Sequence, residues 1–161
     1  MAPITIARWL HVVFAAAWLG EVVTVVFALV PIALHLQGSQ RSQFLANVFP
    51  RIFRVATVLA VGTLGAGVWL NYLTTGWRDL PAYLASGRGA AIVVGGLLGL
   101  LLTLFHFVVE GRLEPRLLAL SESEPDSGEG KMLRFLTLVP RIGLVILATI
   151  FVLMMIGARG V

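Results

Sequence analysis

Residues 90–109 read AAIVVGGLLGLLLTLFHFVV, and His106 is the one titratable side chain among them. A helix needs about 20 apolar residues to cross the hydrocarbon core of a bilayer, so this stretch predicts a membrane span. On either side of it, long apolar stretches predict three more spans, at residues 4–33, 52–73 and 138–156. The four spans use most of the chain. They predict an all-α fold in which a single domain, residues 1–161, forms an antiparallel four-helix bundle within the membrane.

The composition of the chain points to the same class. Of its 161 residues, 58% are hydrophobic and 12% are charged, and the mean hydropathy is +0.95. Soluble domains are about 45–50% apolar and about 25% charged, and disordered chains are poor in apolar residues, so both classes are excluded. The chain has no cysteine, which excludes disulfides, thiolate metal sites, c-type haem attachment and thiol catalysis. No stretch of basic and aromatic residues indicates a nucleic-acid partner.

The segments between the spans carry most of the polar residues. Residues 37–51 predict a polar loop, and residues 121–130, an acidic decapeptide rich in Ser and Gly, predict a flexible loop. Pro50 and Pro140 each precede an Arg-Ile pair where a span begins. Proline suits a first helical turn, where its missing N–H is not needed. We therefore expect both prolines in the first turns of their helices.

The distribution of basic residues predicts the orientation of the chain. Eight lie in or beside the first and third connections, and four lie near the termini and the second connection. Because positive residues stay on the cytoplasmic side, both termini are expected on the outer side. The larger group is Arg41, Arg51, Arg54, Arg112, Arg116, Lys131, Arg134 and Arg141, and the smaller group is Arg8, Arg78, Arg88 and Arg159.

The ionisable residues predicted at membrane depth are His11, Glu21 and His106, and the borderline residues are His35, Glu110 and Arg141. Such residues are costly in a bilayer, so each is a functional hypothesis by default. Counted from the arginines that mark the outer span ends, His11 and His106 differ in depth by roughly 22 Å. Two ligands of one metal ion are only about 4 Å apart. The two histidines are therefore not expected to share a metal.

Each candidate ligand also has a structural explanation. His11 is predicted to be a ligand, the alternative being a hydrogen bond to a neighbouring helix. His106 is a ligand, a proton-relay group or a partner of Glu110, which lies four residues on and shares its helix face. Met154 and Met155 either supply a ligand sulfur or fill gaps in the core.

Glycines at positions 95, 96 and 99 leave one face of the third span bare. Small residues in a membrane helix usually allow close packing against a neighbouring helix. The alternative is that this face leaves room for a flat macrocycle. The two explanations predict different neighbours for the three glycines.

Glu21 is the one carboxylate deep in a span. An ionised acid at the bilayer midplane costs about 2.5–3.5 kcal/mol on insertion scales. A membrane carboxyl that changes its charge is a natural proton acceptor, so Glu21 is predicted to act catalytically, in a proton path coupled to redox chemistry. The structural alternative is a protonated acid that hydrogen-bonds across helices, for example to Thr63.

Several short motifs resemble those of a known family. Trp9-Leu10-His11 followed by Trp18-Leu19-Gly20 is similar to the opening of the HemJ family of bacterial protoporphyrinogen oxidases and of CopD-type copper-resistance proteins. Residues 51–54 (RIFR), residues 67–70 (GVWL) and residues 104–106 (LFH) resemble its second and third spans, and the apolar run after Pro140 fits its last span. The order and spacing hold over most of the chain.

The resemblance implies a small helical protein of the bacterial cytoplasmic (inner) membrane that binds haem b, with His11 at the position of the family's candidate haem ligand. Gly95 stands where the family has a lysine, and residues 21–24 (EVVT) replace a Leu-Pro-Arg segment. The resemblance therefore implies haem binding more directly than it implies protoporphyrinogen oxidase activity.

Three functions follow as hypotheses. The first is a haem b protein with a redox role, in which His11 is the proximal ligand and Met154, Met155 or water is the sixth. Under this hypothesis Arg51, Arg54 and Arg141 pair with the haem propionates. A quinone or a membrane redox protein is the expected electron-transfer partner. The second is a CopD-like copper transport or resistance protein, since histidine and thioether suit Cu(I). The third is a small accessory subunit of a membrane complex or a homo-oligomer.

Overall fold

The computed structural model describes residues 2–120 and 129–159, and every regular element in these ranges is helical. The predicted acidic loop at 121–130 lies mostly outside the described residues, and its last two residues begin a helix. The elements are α1 (Pro3–Thr24), a π-helical turn (Val25–Leu29), α2 (Val30–His35), α3 (Gly38–Thr75), α4 (Leu80–Ala85), α5 (Gly87–Leu120) and α6 (Glu129–Arg159).

The four apolar stretches are helical, and the four segments that contain them are long and apolar enough to cross a membrane. Many large apolar side chains on these segments are exposed, among them Phe27, Leu101 and Val145. Such a surface suits a chain whose helices face lipid instead of water. The segments are Pro3–His35, Gly38–Thr75, Gly87–Ala119 and Met132–Arg159.

The first connection is much shorter than predicted. Residues 37–51 were expected to form a polar loop, but α3 begins at Gly38 and continues through Pro50. Ser42, Leu45, Ala46 and Phe49 are buried, and this spacing of three and four residues is that of one helix face. The predicted first-turn position of Pro50 and Pro140 is also wrong, because both lie inside their helices.

Span 1 is interrupted by a π-helical turn (Val25–Leu29) that ends two residues before Pro31. Proline has no backbone N–H, and its ring crowds the carbonyl four residues earlier, which here is that of Phe27. A π turn at this point widens the helix and accommodates the proline. One consequence is that the adjacent residues Val25 and Val26 are both buried.

The contacts between helices show which spans are neighbours in the fold. Span 1 packs against α3 and α6, α3 packs against α5, and α5 packs against α6. Trp18, Ala60, Leu102 and Leu147, one residue from each span, form a buried cluster at mid-height. A second cluster lies toward the α2 end of the molecule and includes Phe49, Leu113 and Leu136.

Aromatic side chains gather where α3 ends and the second connection begins. The rings of Tyr72 and Trp77 are 5.2 Å apart and meet edge to face. Asn71 donates to the Tyr83 hydroxyl at 2.9 Å, and Asp79 caps α4, a short helix within the predicted loop. Tyr and Trp are enriched where a membrane protein meets the polar interface.

Candidate functional site

His11 lies on α1 and faces α3. Its Nδ1 atom is 2.9 Å from the backbone carbonyl oxygen of Thr63. A carbonyl can only accept, so Nδ1 carries the hydrogen and Nε2 is left with a free lone pair. Metal-binding histidines usually have this arrangement, in which one ring nitrogen donates to a backbone carbonyl and the other binds the metal.

A glycine on α3 makes room for the His11 ring. A Cβ atom at Gly67 would lie 2.9 Å from His11 Cε1 and 3.0 Å from Nδ1, but 3.9 Å from Nε2. The ring therefore rests on the Gly67 backbone with Nε2 as its farthest nitrogen. One turn away, a Cβ at Gly62 would lie 2.8 Å from the ring of Phe14. Glycines thus bring α1 and α3 close together at the height of His11.

The predicted methionine ligands have different surroundings. A Cβ at Gly95 would lie 2.8 Å from Met154 Cε and 3.8 Å from its sulfur, so Met154 fills a notch in α5. Met155 is 51% exposed. Of the three glycines on this face, Gly99 also receives a side chain, that of Leu64, while Gly96 has no neighbour within 4 Å. The packing explanation accounts for Gly95 and Gly99.

His106 belongs to a chain of hydrogen bonds between α5 and α3. The hydroxyl of Thr57 donates to Glu110 Oε2 at 2.8 Å. It lies 3.0 Å from His106 Nε2, from which it accepts. His106 Nε2 and Glu110 Oε2 are 3.6 Å apart, as the four-residue spacing predicted. Because Nε2 is occupied by Thr57, the structure assigns His106 to this polar chain and gives it no free Nε2 for a metal.

The two histidines lie at different heights along α3. His11 contacts Thr63 and Gly67, whereas His106 contacts Thr57 and the ring of Phe53. The centres of these contacts are about ten residues apart, which is about 15 Å along a helix. The prediction that they do not share a metal agrees with this separation, although the distance is smaller than the predicted 22 Å.

Glu21 faces a cavity between the four spans. The cavity has a volume of about 100 Å³, and Glu21 and His106 are the titratable residues that line it. Glu21 Oε2 is buried and has no hydrogen-bond partner among the described residues. The predicted bond to Thr63 is absent, because the Thr63 hydroxyl donates to the Leu59 carbonyl at 2.7 Å. Apolar side chains such as Trp18, Phe53 and Leu102 form most of the wall.

The predicted propionate partners do not fit a haem held by His11. Arg51, Arg54 and Arg141 are all exposed. On α3, Arg54 precedes Thr63 by nine residues, which is about 14 Å along the helix. These arginines lie nearer to the height of His106. Arg8, which is three residues before His11, is the basic residue at the height of His11.

No ready-made metal cluster occurs within the described ranges. In residues 2–120 and 129–159, no group of three or more His, Cys, Asp or Glu side chains is placed to hold a metal ion. His35, the third histidine, is exposed, and its Nδ1 lies 2.8 Å from the Pro31 carbonyl of its own helix. His11 is therefore the histidine whose surroundings best fit a ligand, and it would supply one position of a coordination sphere.

Comparisons with protein-family models, with curated proteins and with solved structures find no match for this chain.

Sequence reasoning missed the roles of three residues that the structure brings to these sites. Thr57 links His106 to Glu110, Thr63 orients His11 through its backbone, and Gly67 makes room for the imidazole. Threonine and glycine are common in membrane helices, so neither residue type stands out in the sequence. One signal was available: six of the eight residues at 60–67 (AVGTLGAG) are small, which predicts a close helix neighbour for α3.

Proposed function

We propose that this chain is a haem b protein with a redox role, folded as an antiparallel four-helix bundle in the bacterial cytoplasmic membrane with both termini on the outer side. His11 is the proximal ligand. The observation that carries the proposal is the hydrogen bond from His11 Nδ1 to the Thr63 carbonyl. It fixes the tautomer and leaves Nε2 available, which is what axial ligation requires. The resemblance to the HemJ and CopD-type families supports the same assignment.

The protein contributes position and surroundings to this site. Thr63 holds the imidazole in one orientation, and the Gly67 backbone supports the ring from behind. Arg8 lies one helical turn from His11. It is the candidate partner for a propionate, because arginine forms bidentate hydrogen bonds with carboxylates. The bound haem would supply one-electron chemistry, whose potential depends on the axial ligand, its hydrogen bonds and burial. A membrane quinone or redox protein is the proposed electron partner.

The structure favours haem over the copper alternative. A Cu(I) site would need His11 together with methionine sulfur. Met154 instead turns its methyl group into the Gly95 notch, and Met155 is half-exposed. The positions of the two methionines therefore give no support to a copper site at His11.

An absorption spectrum combined with metal analysis of the same sample tests the proposal. The protein is purified in mild detergent from haem-replete cells. We expect a red protein with a Soret band and with iron, not copper, in proportion to the haem. A correctly folded, colourless protein without iron would overturn the proposal. A lone species on size exclusion would argue against a role restricted to a subunit of a larger complex.

A further inference from the structure

Two features of the structure have no part in holding a haem at His11. One is the hydrogen-bonded chain from His106 through Thr57 to Glu110. The other is the Glu21 carboxyl, whose Oε2 atom is buried without a partner among the described residues. A buried polar atom without a partner costs about 1–3 kcal/mol, so such an atom calls for an explanation.

The central cavity connects the two features. Glu21 on α1 and His106 on α5 both line it, and the residues between them on the wall are apolar. A single water molecule needs about 10–15 Å³ of such volume together with polar partners. A cavity of about 100 Å³ therefore has room for several water molecules. Glu21 and His106 would anchor them from opposite helices.

We propose that Glu21, water in the central cavity, His106, Thr57 and Glu110 form a proton route that ends at Glu21. Each of these groups can accept a proton from one neighbour and donate a proton to the next. The steps from His106 to Glu110 are already at hydrogen-bond length, at 3.0 and 2.8 Å. The cavity supplies the one step for which the protein has no side chain.

The end of the route that lies nearest to the membrane surface is Glu110. Its side chain is 18% exposed, against 14% for His106, and it stands just beyond the apolar run of residues 90–109. Glu110 exchanges protons with the membrane surface, and the hydroxyl of Thr57 passes them between the carboxylate and the imidazole. Each group takes one proton from its neighbour and gives one to the next, so only O–H and N–H bonds form and break.

The route predicts how fast the Glu21 carboxyl exchanges its hydrogen with solvent. Purified protein in lipid films is transferred from H₂O to D₂O while the carboxyl C=O stretch is followed by infrared spectroscopy. The Glu21 band is the one that Glu21→Gln removes. We expect Thr57→Val to slow its shift by roughly a hundredfold, the lower end of what a positioned proton-transfer group contributes. Glu110→Gln is expected to slow it as well.

Two variants separate the route from a general effect on packing. Thr57→Ser keeps the hydroxyl and is expected to exchange like the wild type. Thr103→Val removes a buried hydroxyl that bonds only within α5, to the Gly99 carbonyl at 2.8 Å, and should also exchange like the wild type. If Thr57→Val does not fold, the comparison of Glu110→Gln with Thr103→Val makes the same test.

Wild-type exchange in both Thr57→Val and Glu110→Gln would overturn the route, and so would a spectrum in which Glu21→Gln removes no carboxyl band. The measurement does not need haem. A colourless protein whose Glu21 exchange depends on Thr57 would overturn the proposed haem function and support the route. A red protein with exchange independent of Thr57 would do the reverse.

Discussion

His11 on α1 donates the hydrogen of Nδ1 to the backbone carbonyl of Thr63 on α3, across a distance of 2.9 Å. A hydrogen bond between membrane helices contributes only about 0.6 kcal/mol on average. That gain is small for a polar ring placed inside an apolar span. The bond does more for orientation than for stability, because it fixes which nitrogen of His11 is free.

Gly67→Ala tests whether haem binding depends on the space that Gly67 leaves for the His11 imidazole. The new methyl group would lie 2.9 Å from His11 Cε1, so the ring must shift from the position in which it donates to Thr63. We expect the haem content of the purified protein to fall by roughly tenfold or more, the equivalent of about 1.4 kcal/mol of binding free energy. Gly65→Ala is the matched control, because a Cβ at Gly65 has no neighbour within 4 Å. Equal haem content in the two variants would argue against His11 as the ligand.

Gly62→Ala tests the close approach of α1 and α3 separately from ligation. The added methyl would lie 2.8–2.9 Å from three atoms of the Phe14 ring. Overpacking of this kind typically costs about 1–3 kcal/mol. We expect the unfolding midpoint in detergent to fall in Gly62→Ala and to stay unchanged in Gly65→Ala. A midpoint for Gly62→Ala equal to that of the wild type would show that the contact relaxes freely.

The four long apolar helices could be predicted because apolar length is a property of local sequence, and the structure contains them. The first connection was mispredicted because polar residues were counted without regard to their helical face. Leu45 and Phe49 are among the most buried side chains of the protein, although Gln43, Asn47 and Arg51 lie within two positions of them in the sequence. The spacing of the buried residues would have identified this helix.

The candidate site was predictable only in part. The difference in height between His11 and His106 follows from the fixed rise per residue of a helix. Counting residues from the span ends therefore predicts that the two side chains lie at different depths. Their partners Thr63 and Thr57 are 52 and 49 residues away in the chain. No local pattern specifies such contacts. The cavity that joins Glu21 to His106 is likewise a product of how the four spans pack together.

Glu21 offers a prediction about stability. Its Oε2 atom is buried and has no protein partner in the described part of the chain, so its burial costs more than that of an apolar side chain, even when cavity water supplies a hydrogen bond. We expect Glu21→Leu to raise the thermal unfolding midpoint, since leucine also fits the apolar wall of the cavity. Glu21→Gln keeps the polar group and is expected to match the wild type. A fall in the midpoint of Glu21→Leu would mean that the carboxyl stabilises the fold.

Met154→Leu tests the assignment of the sixth ligand. The methyl group of Met154 packs into the notch at Gly95, which is a packing role, and a swap of similar volume costs less than about 1.5 kcal/mol. We expect Met154→Leu to bind haem with an unchanged absorption spectrum. Altered Soret and visible bands in this variant, with the fold retained, would identify Met154 as a ligand.

The most direct measurement is the Soret absorbance of His11→Ala compared with that of His106→Ala and His35→Ala, each purified as the full chain. Alanine at position 11 removes the histidine whose ring is oriented by a second helix and whose Nε2 is free. We expect His11→Ala to lose the band, imidazole in the buffer to restore it in part, and the other two variants to keep it. An unchanged band in His11→Ala, or a band lost only in His106→Ala, would contradict the account.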